Sequence, residues 1–381
     1  MSKRPLKILQ VGSGFPGWGG TELHLLNLAE QLTHRGHDVT VSARPGKFVE
    51  EQATKRGLST LAATVNRQWD WHDAATLRAW IRTHRPDVVH VHWSTDYVVT
   101  PWIARRSDVP VIVMSRHSPY ALKSTLGRVL YDRILFDRIV ALSESVRRTL
   151  VDQGLRPQRV VTIHHGTDTA AFRATTQPIA AVRAAWGIPD GATVIGMAGR
   201  IAPEKGVLTF LEAIARLTDR PIHAVLIGEG PQESEARALV AERGLTGRVT
   251  FGGFRADINN AIHALDVLVL ASVWEEPCSA VVQQAMALGK PVIGTDLGGT
   301  PEMIEDQKTG LLIPARDPLA LAEAIARLVD APEMRGRMGA AGIERVEAHF
   351  TLAHMVDRNE ALYQEILAAH AARLRASLSA R

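Results

Sequence analysis

Four side chains in this chain of 381 residues have the type and the setting for chemistry on an anionic substrate: Arg200, Lys205, Glu276 and His117. The stretch Gly199-Arg200-Ile201-Ala202-Pro203-Glu204-Lys205-Gly206 follows an apolar strand pattern and precedes a helical one. Arg supplies a planar fork and Lys a point charge, and a helix start adds partial positive charge. Together they make a diphosphate clamp; a solvated basic turn is the plainer alternative. The pattern GxxxxGK[ST] is absent, so the loop is not a P-loop. Glu276 sits in WEEPCSAVVQQAMALGKPVIGTDLGGTPE, residues 274–302. The apolar run Val267–Leu270 leads into it, and a helical pattern, Ser279–Leu288, follows and is closed by Gly289. Glu276 therefore falls just past the carboxyl end of a parallel strand, where open α/β sheets place ligands. The N–H groups of the helix start favour an anion beside it. Gln284 stands two helical turns further on. His117, in Arg116-His117-Ser118, ends an inner strand, where its imidazole can donate to a substrate hydroxyl or carbonyl; a structural histidine is the equal alternative.

Three further loops carry weaker signals. Gly228-Glu229-Gly230-Pro231 and Gly252-Gly253-Phe254-Arg255 follow successive strand patterns. Their glycines permit close backbone approach to a ligand, and the second loop suits a base edge. Gly12-Ser13-Gly14-Phe15-Pro16-Gly17 matches the dinucleotide fingerprint GxGxxG after a strand. Pro16 interrupts it, the helix starts late, and the second strand ends at Ala43-Arg44-Pro45 without a ribose-binding acid, so hydride transfer is a poor reading. What survives is a loop ending in Gly19-Gly20 ahead of a helix. His90 and His92 share one strand face. A metal would need a third ligand, and none stands at suitable spacing, so a structural role is expected.

The elements that must position these loops alternate throughout: short apolar strands and amphipathic helices, the signature of a parallel α/β architecture. Strand patterns occur at 7–11, 39–41, 88–92, 111–114, 139–142 and 160–163, then at 194–198, 223–227, 249–251, 267–270 and 292–294. The length gives two domains. We divide them at a polar, irregular linker, 165–178, into 1–170 and 171–351, with a helix over 352–381 that crosses back to the first. An apolar content of 46% and a charged content of 22% are those of a soluble globular protein. The single cysteine, Cys278, excludes an intramolecular disulfide and fits a reducing compartment. The N-terminal apolar run, Ile8–Val11, is too short for a signal-peptide core, and no other run reaches membrane-spanning length. The net charge is +4, but between Arg105 and Arg159 eleven Lys or Arg face five acids. A solvated basic face is the plain reading; an anionic membrane, an anionic acceptor or nucleic acid are the alternatives.

Taken in order, these residues resemble the retaining GT-B glycosyltransferases of family 4 (group 1). The matching set is Gly19-Gly20, Arg116-His117, Ala141-Leu142-Ser143-Glu144, His165-Gly166-Thr167-Asp168 with Phe172, Gly199-Arg200 with Glu204-Lys205-Gly206, and Gly228-Glu229-Gly230-Pro231. Glu276, Ala285-Met286-Ala287, Gly289 with Pro291-Val292, and Gly298-Gly299 with Glu302 complete it. The resemblance implies two Rossmann-like parallel-sheet domains facing a central cleft, with a nucleotide sugar on the second and the acceptor on the first. Arg200 and Lys205 would hold the diphosphate, and the loops with Gly228, Gly230, Phe254 and Arg255 the nucleoside. Glu276 would bind sugar hydroxyls, and the N–H groups of Cys278, Ser279, Ala280 and Val281 the diphosphate and sugar. Gly19, Gly20 and His117 would reach the sugar from the first domain. The family's second glutamate falls on Gln284, which keeps acceptor capacity without charge; the register Glu275/Gln283 has the same spacing but lacks the Ala-Met anchor.

The resemblance implies sugar transfer with retention at the anomeric carbon and without metal or cofactor, since no DxD acidic motif is present. Cations and helix N-termini would stabilise the leaving diphosphate. We expect a glycolipid or polysaccharide-precursor acceptor of the cell envelope (lipopolysaccharide, for example), a cytoplasmic location at the inner membrane face, and no nucleic-acid partner. The stretch Tyr120–Phe136 has an apolar stripe (Leu122, Leu126, Val129, Leu130) beside Lys123, Arg128 and Arg133. It would either pack on its own domain or lie on anionic lipid as a peripheral contact. Two other classes fit the same residues: a nucleotide-sugar epimerase, and a nucleotide-sugar-binding protein without activity.

Overall fold

The computed structural model describes residues 4–12, 19–63, 74–118, 122 and 124–379. The chain forms two compact units, Met1–Gly166 with Leu352–Arg381, and Thr167–Thr351. Each unit is built on one parallel sheet. The first holds β1 (Lys7–Val11), β2 (Asp38–Ala43), β3 (Ser59–Ala62), β4 (Val88–Val91), β5 (Val111–Arg116), β6 (Arg138–Ala141) and β7 (Val160–Thr162), in the order β3-β2-β1-β4-β5-β6-β7. The second holds β8 (Thr193–Ala198), β9 (Ile222–Ile227), β10 (Val249–Gly253), β11 (Val267–Leu270), β12 (Val292–Thr295) and β13 (Gly310–Ile313), in the order β10-β9-β8-β11-β12-β13. Strand order reverses between β1 and β4 in one sheet and between β8 and β11 in the other. A crevice opens at such a switch point, beyond the strand ends.

The composition of the strands explains the layering. β4 (VVHV) and β11 (VLVL) are buried along their whole length, because helices cover both faces of a parallel sheet. Successive residues of β5 feed opposite cores: Val111 and Val113 one face, Ile112 and Met114 the other. The helix Leu352–Ser379 joins the first unit. Its Met355, Val356 and Tyr363 pack with Leu25 and Leu28 of the helix Gly20–His34, and Glu360 meets Arg35 and His37.

Three local expectations change. The linker, expected to be irregular, contains a helix, Thr169–Arg173, capped by Asp168, whose side chain accepts from Ala171 N–H at 3.0 Å. Two strands went unpredicted: β3, an edge strand with mostly exposed side chains and therefore no apolar alternation, and β13. The pattern over 120–136 becomes a helix, Thr125–Leu130, followed by a π-type turn, Tyr131–Leu135. Leu122 and Leu130 pack against the core, whereas Leu126 and Val129 are exposed. Residues 119–121 and 123, like residues 13–18 of the glycine-rich loop, lie outside the described residues.

Candidate functional site

The residues of the expected clamp meet at the switch point of the second sheet. Arg200 follows β8 and Glu276 follows β11, and these two strands are neighbours. A single 3₁₀ turn, Pro203–Lys205, carries Lys205 to the start of the helix Val207–Ala215. Gly206 joins turn to helix at φ +70°, and a Cβ there would meet Ala271 O at 1.9 Å. Only glycine fits a left-handed position pressed against backbone. Lys205 Nζ is ion-paired with Glu276 Oε1. Ser272 Oγ and Trp274 Nε1 donate to the same oxygen at 2.8 and 3.1 Å. The Glu276 side chain is only 8% exposed, so these three donors offset the cost of burying its charge. Arg200 pairs with Glu204 and stays 64% exposed.

The other residues expected at this site divide into groups. Ser279 is the N-cap of the helix Ala280–Ala287 but does not cap it with its side chain, and Ala280 and Val281 form its first turn. Cys278 Sγ accepts from Gln283 Nε2 at 3.3 Å. Gln284 is half-buried, while Gln283 is fully buried, with its Oε1 accepting from Thr167 Oγ at 3.0 Å; Glu275 is exposed. Gly228 and Gly230 pack against backbone: a Cβ on them would stand 2.0 Å from Gly199 O and 2.2 Å from Ile201 O. These glycines let the neighbouring loop set the path of the clamp. Phe254 is 58% exposed and its N–H donates to Glu229 Oε1 at 3.4 Å. Arg255 is held by both carboxylate oxygens of Asp257, at 2.8 and 2.7 Å, and this fork keeps the Asp257 carboxyl below the usual range.

In the first unit, Gly19 precedes the helix Gly20–His34, and Gly20 has open space where a Cβ would stand. His117 follows β5 and, itself half-buried, joins a group of buried rings. His92 Nδ1 lies 3.3 Å from His117 Nε2, and His24 Nδ1 lies 3.1 Å from His165 Nδ1. His90 stacks near His92, with ring centroids 4.2 Å apart. The expectation that His92 lacks a third potential ligand is corrected here: His24, His92 and His117 each offer a nitrogen within 4.8 Å of the others. They are separated in sequence, and only the convergence of neighbouring strand ends brings them together. Burial pushes His117 down to about 3 and His165 to about 4, and holds His24 and His92 well below the usual histidine range. The rings are therefore neutral at physiological pH.

The first half of the chain matches the model for Glycosyltransferase Family 4 over residues 18–171, and the second that for Glycosyl transferases group 1 over 179–345. A 2-deoxystreptamine N-acetyl-D-glucosaminyltransferase of Streptomyces fradiae is 30% identical, over 89% of this chain and 92% of that protein. An alpha-D-kanosaminyltransferase of Streptomyces kanamyceticus is 35% identical over 52% of this chain, and that match spans 50% of the relative's length. Among solved structures, Anabaena Alr3699/HepE in complex with UDP has a TM-score of 0.84 at 22% identity, covering 94% of this chain and 100% of that one. Two Rossmann-like parallel sheets with these neighbours define the GT-B fold. The chain belongs to the group 1, family 4 glycosyltransferases.

Proposed function

We propose that this glycosyltransferase moves a sugar from a nucleotide diphosphate sugar to a hydroxyl of a glycolipid or polysaccharide precursor, with retention and without a metal. The observation that carries the reading is the clamp: Arg200 and Lys205 beside a buried Glu276 at the switch point of the second sheet. In the transfer, the bond from the anomeric carbon to the diphosphate oxygen breaks, and a bond to the acceptor oxygen forms on the same face. The leaving phosphate oxygen takes the acceptor's proton. Arg200, Lys205 and the uncapped start of the helix Ala280–Ala287 neutralise the charge that develops on the diphosphate. Because Glu276 Oε1 already accepts three donors, its other oxygen would receive the sugar hydroxyls. The UDP complex of HepE supports a nucleotide donor.

Exposed Leu126 (67%), Val129 (46%) and Ile134 (47%) beside Arg128 and Arg133 favour contact with an anionic membrane on the cytoplasmic side. Among the described residues, no helix is long and apolar enough to cross one. Flotation with anionic vesicles at low salt tests the contact; no binding removes it. One observation favours a second acceptor class: the Streptomyces fradiae relative is named for transfer to 2-deoxystreptamine, an aminocyclitol. A panel of nucleotide sugars screened by thermal shift identifies the donor, since a ligand of the folded state raises the melting temperature. Transfer to lipid-linked and cyclitol acceptors then decides the class. Turnover should persist in EDTA; its abolition, with rescue by a divalent ion, would overturn metal-free transfer.

A further inference from the structure

The first unit carries a set of side chains that the transfer reaction does not use as a set. His24 lies on the helix Gly20–His34, His92 just after β4 and His117 just after β5. His24 and His92 are each 1% exposed. One nitrogen from each ring comes within 4.8 Å of the others. The contact between His92 Nδ1 and His117 Nε2 is 3.3 Å. Two nitrogens at the usual zinc distance on a tetrahedral ion stand about 3.3 Å apart, so this pair already has the spacing of two ligands of one ion.

Tautomer and satisfaction point the same way. Gln10 Oε1 accepts from His92 Nε2–H at 2.7 Å, which makes His92 Nδ1 the acceptor nitrogen, turned towards His117 Nε2 at 3.3 Å. A carbonyl behind a ring in this way is how metal-ligating histidines are oriented. His24 Nε2 is buried and has no hydrogen-bond partner, an unusual state for a core nitrogen. His90 is the contrast within the same cluster: its two nitrogens are taken by Tyr363 Oη at 2.6 Å and Ser115 Oγ at 2.8 Å, so it has nothing left to offer. Burial keeps the three rings neutral, the form that ligates. The neighbouring Arg116 disfavours positive charge at His117, so ligation rather than charge must supply the affinity. Imidazoles then select zinc, cobalt(II) or nickel over oxygen-seeking magnesium and calcium.

We propose that His24, His92 and His117 form a three-imidazole site for one first-row transition ion of the zinc class, with a fourth position left to water. The site goes beyond the transfer reaction but shares His117 with the sugar contact that the resemblance implies, so an ion there would compete with the donor sugar for that ring and is not needed for transfer. The test uses the full-length, tag-free chain and the metals alone. Cobalt(II) should bind at one equivalent with the intense visible absorption of a tetrahedral ion, and zinc should displace it; magnesium and calcium should do neither. His24→Gln and His117→Gln should each weaken zinc binding by more than about 100-fold while circular dichroism stays unchanged. X-ray absorption on the wild-type zinc complex reads the site directly, even if the variants fail to fold: three imidazole ligands support it. Failure of the wild type to bind an equivalent of zinc, a shell of carboxylate or thiolate ligands, or unchanged affinity in both folded variants would each overturn it.

Discussion

The two sheets end in the same kind of crevice and fill it with opposite chemistry. At the β8/β11 switch the loops bring charges together: Lys205 on Glu276, and Arg200 on Glu204 with most of its side chain in water. At the β1/β4 switch and its neighbour β5, the loops bring together neutral rings, His92 and His117, which are joined by His24 and His165. The difference lies in what each crevice does with desolvation. Cations left partly in water can grip a polyanion. Imidazoles buried beside one another lose theirs, and act by hydrogen bonding or ligation. One fold therefore provides a crevice whose loops bring charges together and a crevice whose rings position without charge, and the two respond differently to mutation and to pH.

Removing a charge at the second crevice should have the largest effect. Lys205→Ala takes away the proposed diphosphate contact and leaves Glu276 buried without its cation, and turnover should fall by about 10²–10³-fold; near-normal kcat in both Lys205→Ala and Arg200→Ala would sink the clamp. Glu276→Gln should cost about 10–100-fold in kcat/KM, the worth of a charged hydrogen bond to substrate. Gly206→Ala tests the frame rather than the charge. A Cβ at φ +70°, 1.9 Å from Ala271 O, should destabilise the protein by about 2–5 kcal/mol, read as a lower melting temperature. Gln284→Glu should be the mildest, a few-fold change in donor KM, because glutamine already offers an acceptor.

The first crevice should register pH instead. His117 and His165 fall from an ordinary 6.5 to about 3 and about 4 on folding, by burial. Between those values and 6.5 the unfolded chain binds more protons than the folded one, so stability rises with pH across that window. In metal-free buffer the melting temperature should drop as pH is lowered from 6.5 towards 4. A flat profile there would mean that the rings are solvated.

The charged crevice was legible in the sequence and the neutral one was not, and the reason is locality. Arg200 and Lys205 sit between two glycines just past a strand pattern, and Glu276 sits six residues past another, at the start of a polar turn. The apolar runs that form β8 and β11 were equally plain, since a strand buried on both faces writes a continuous apolar word. What sequence could not give was the partner set of Glu276: Ser272 and Trp274 look like ordinary turn residues until the turn folds back on itself. The histidines failed for a different reason. His24, His92 and His117 belong to a helix and two strand ends brought together by strand order, which no local spacing encodes. The alternation of His90 and His92 was the one available hint, and it pointed to a shared face without saying what else shared it. Gly228 and Gly230 were read as room for a ligand, whereas the space they free is filled by the backbone of 199–201.

The central claim, that Arg200 and Lys205 hold the diphosphate of a nucleotide donor, is tested most directly by calorimetric titration of the nucleoside diphosphate picked out by the thermal-shift panel. Wild-type protein and the Arg200→Ala/Lys205→Ala double variant should differ by more than about 100-fold in Kd, since two charge-assisted contacts are lost. Equal affinities in the two folded proteins would contradict the account.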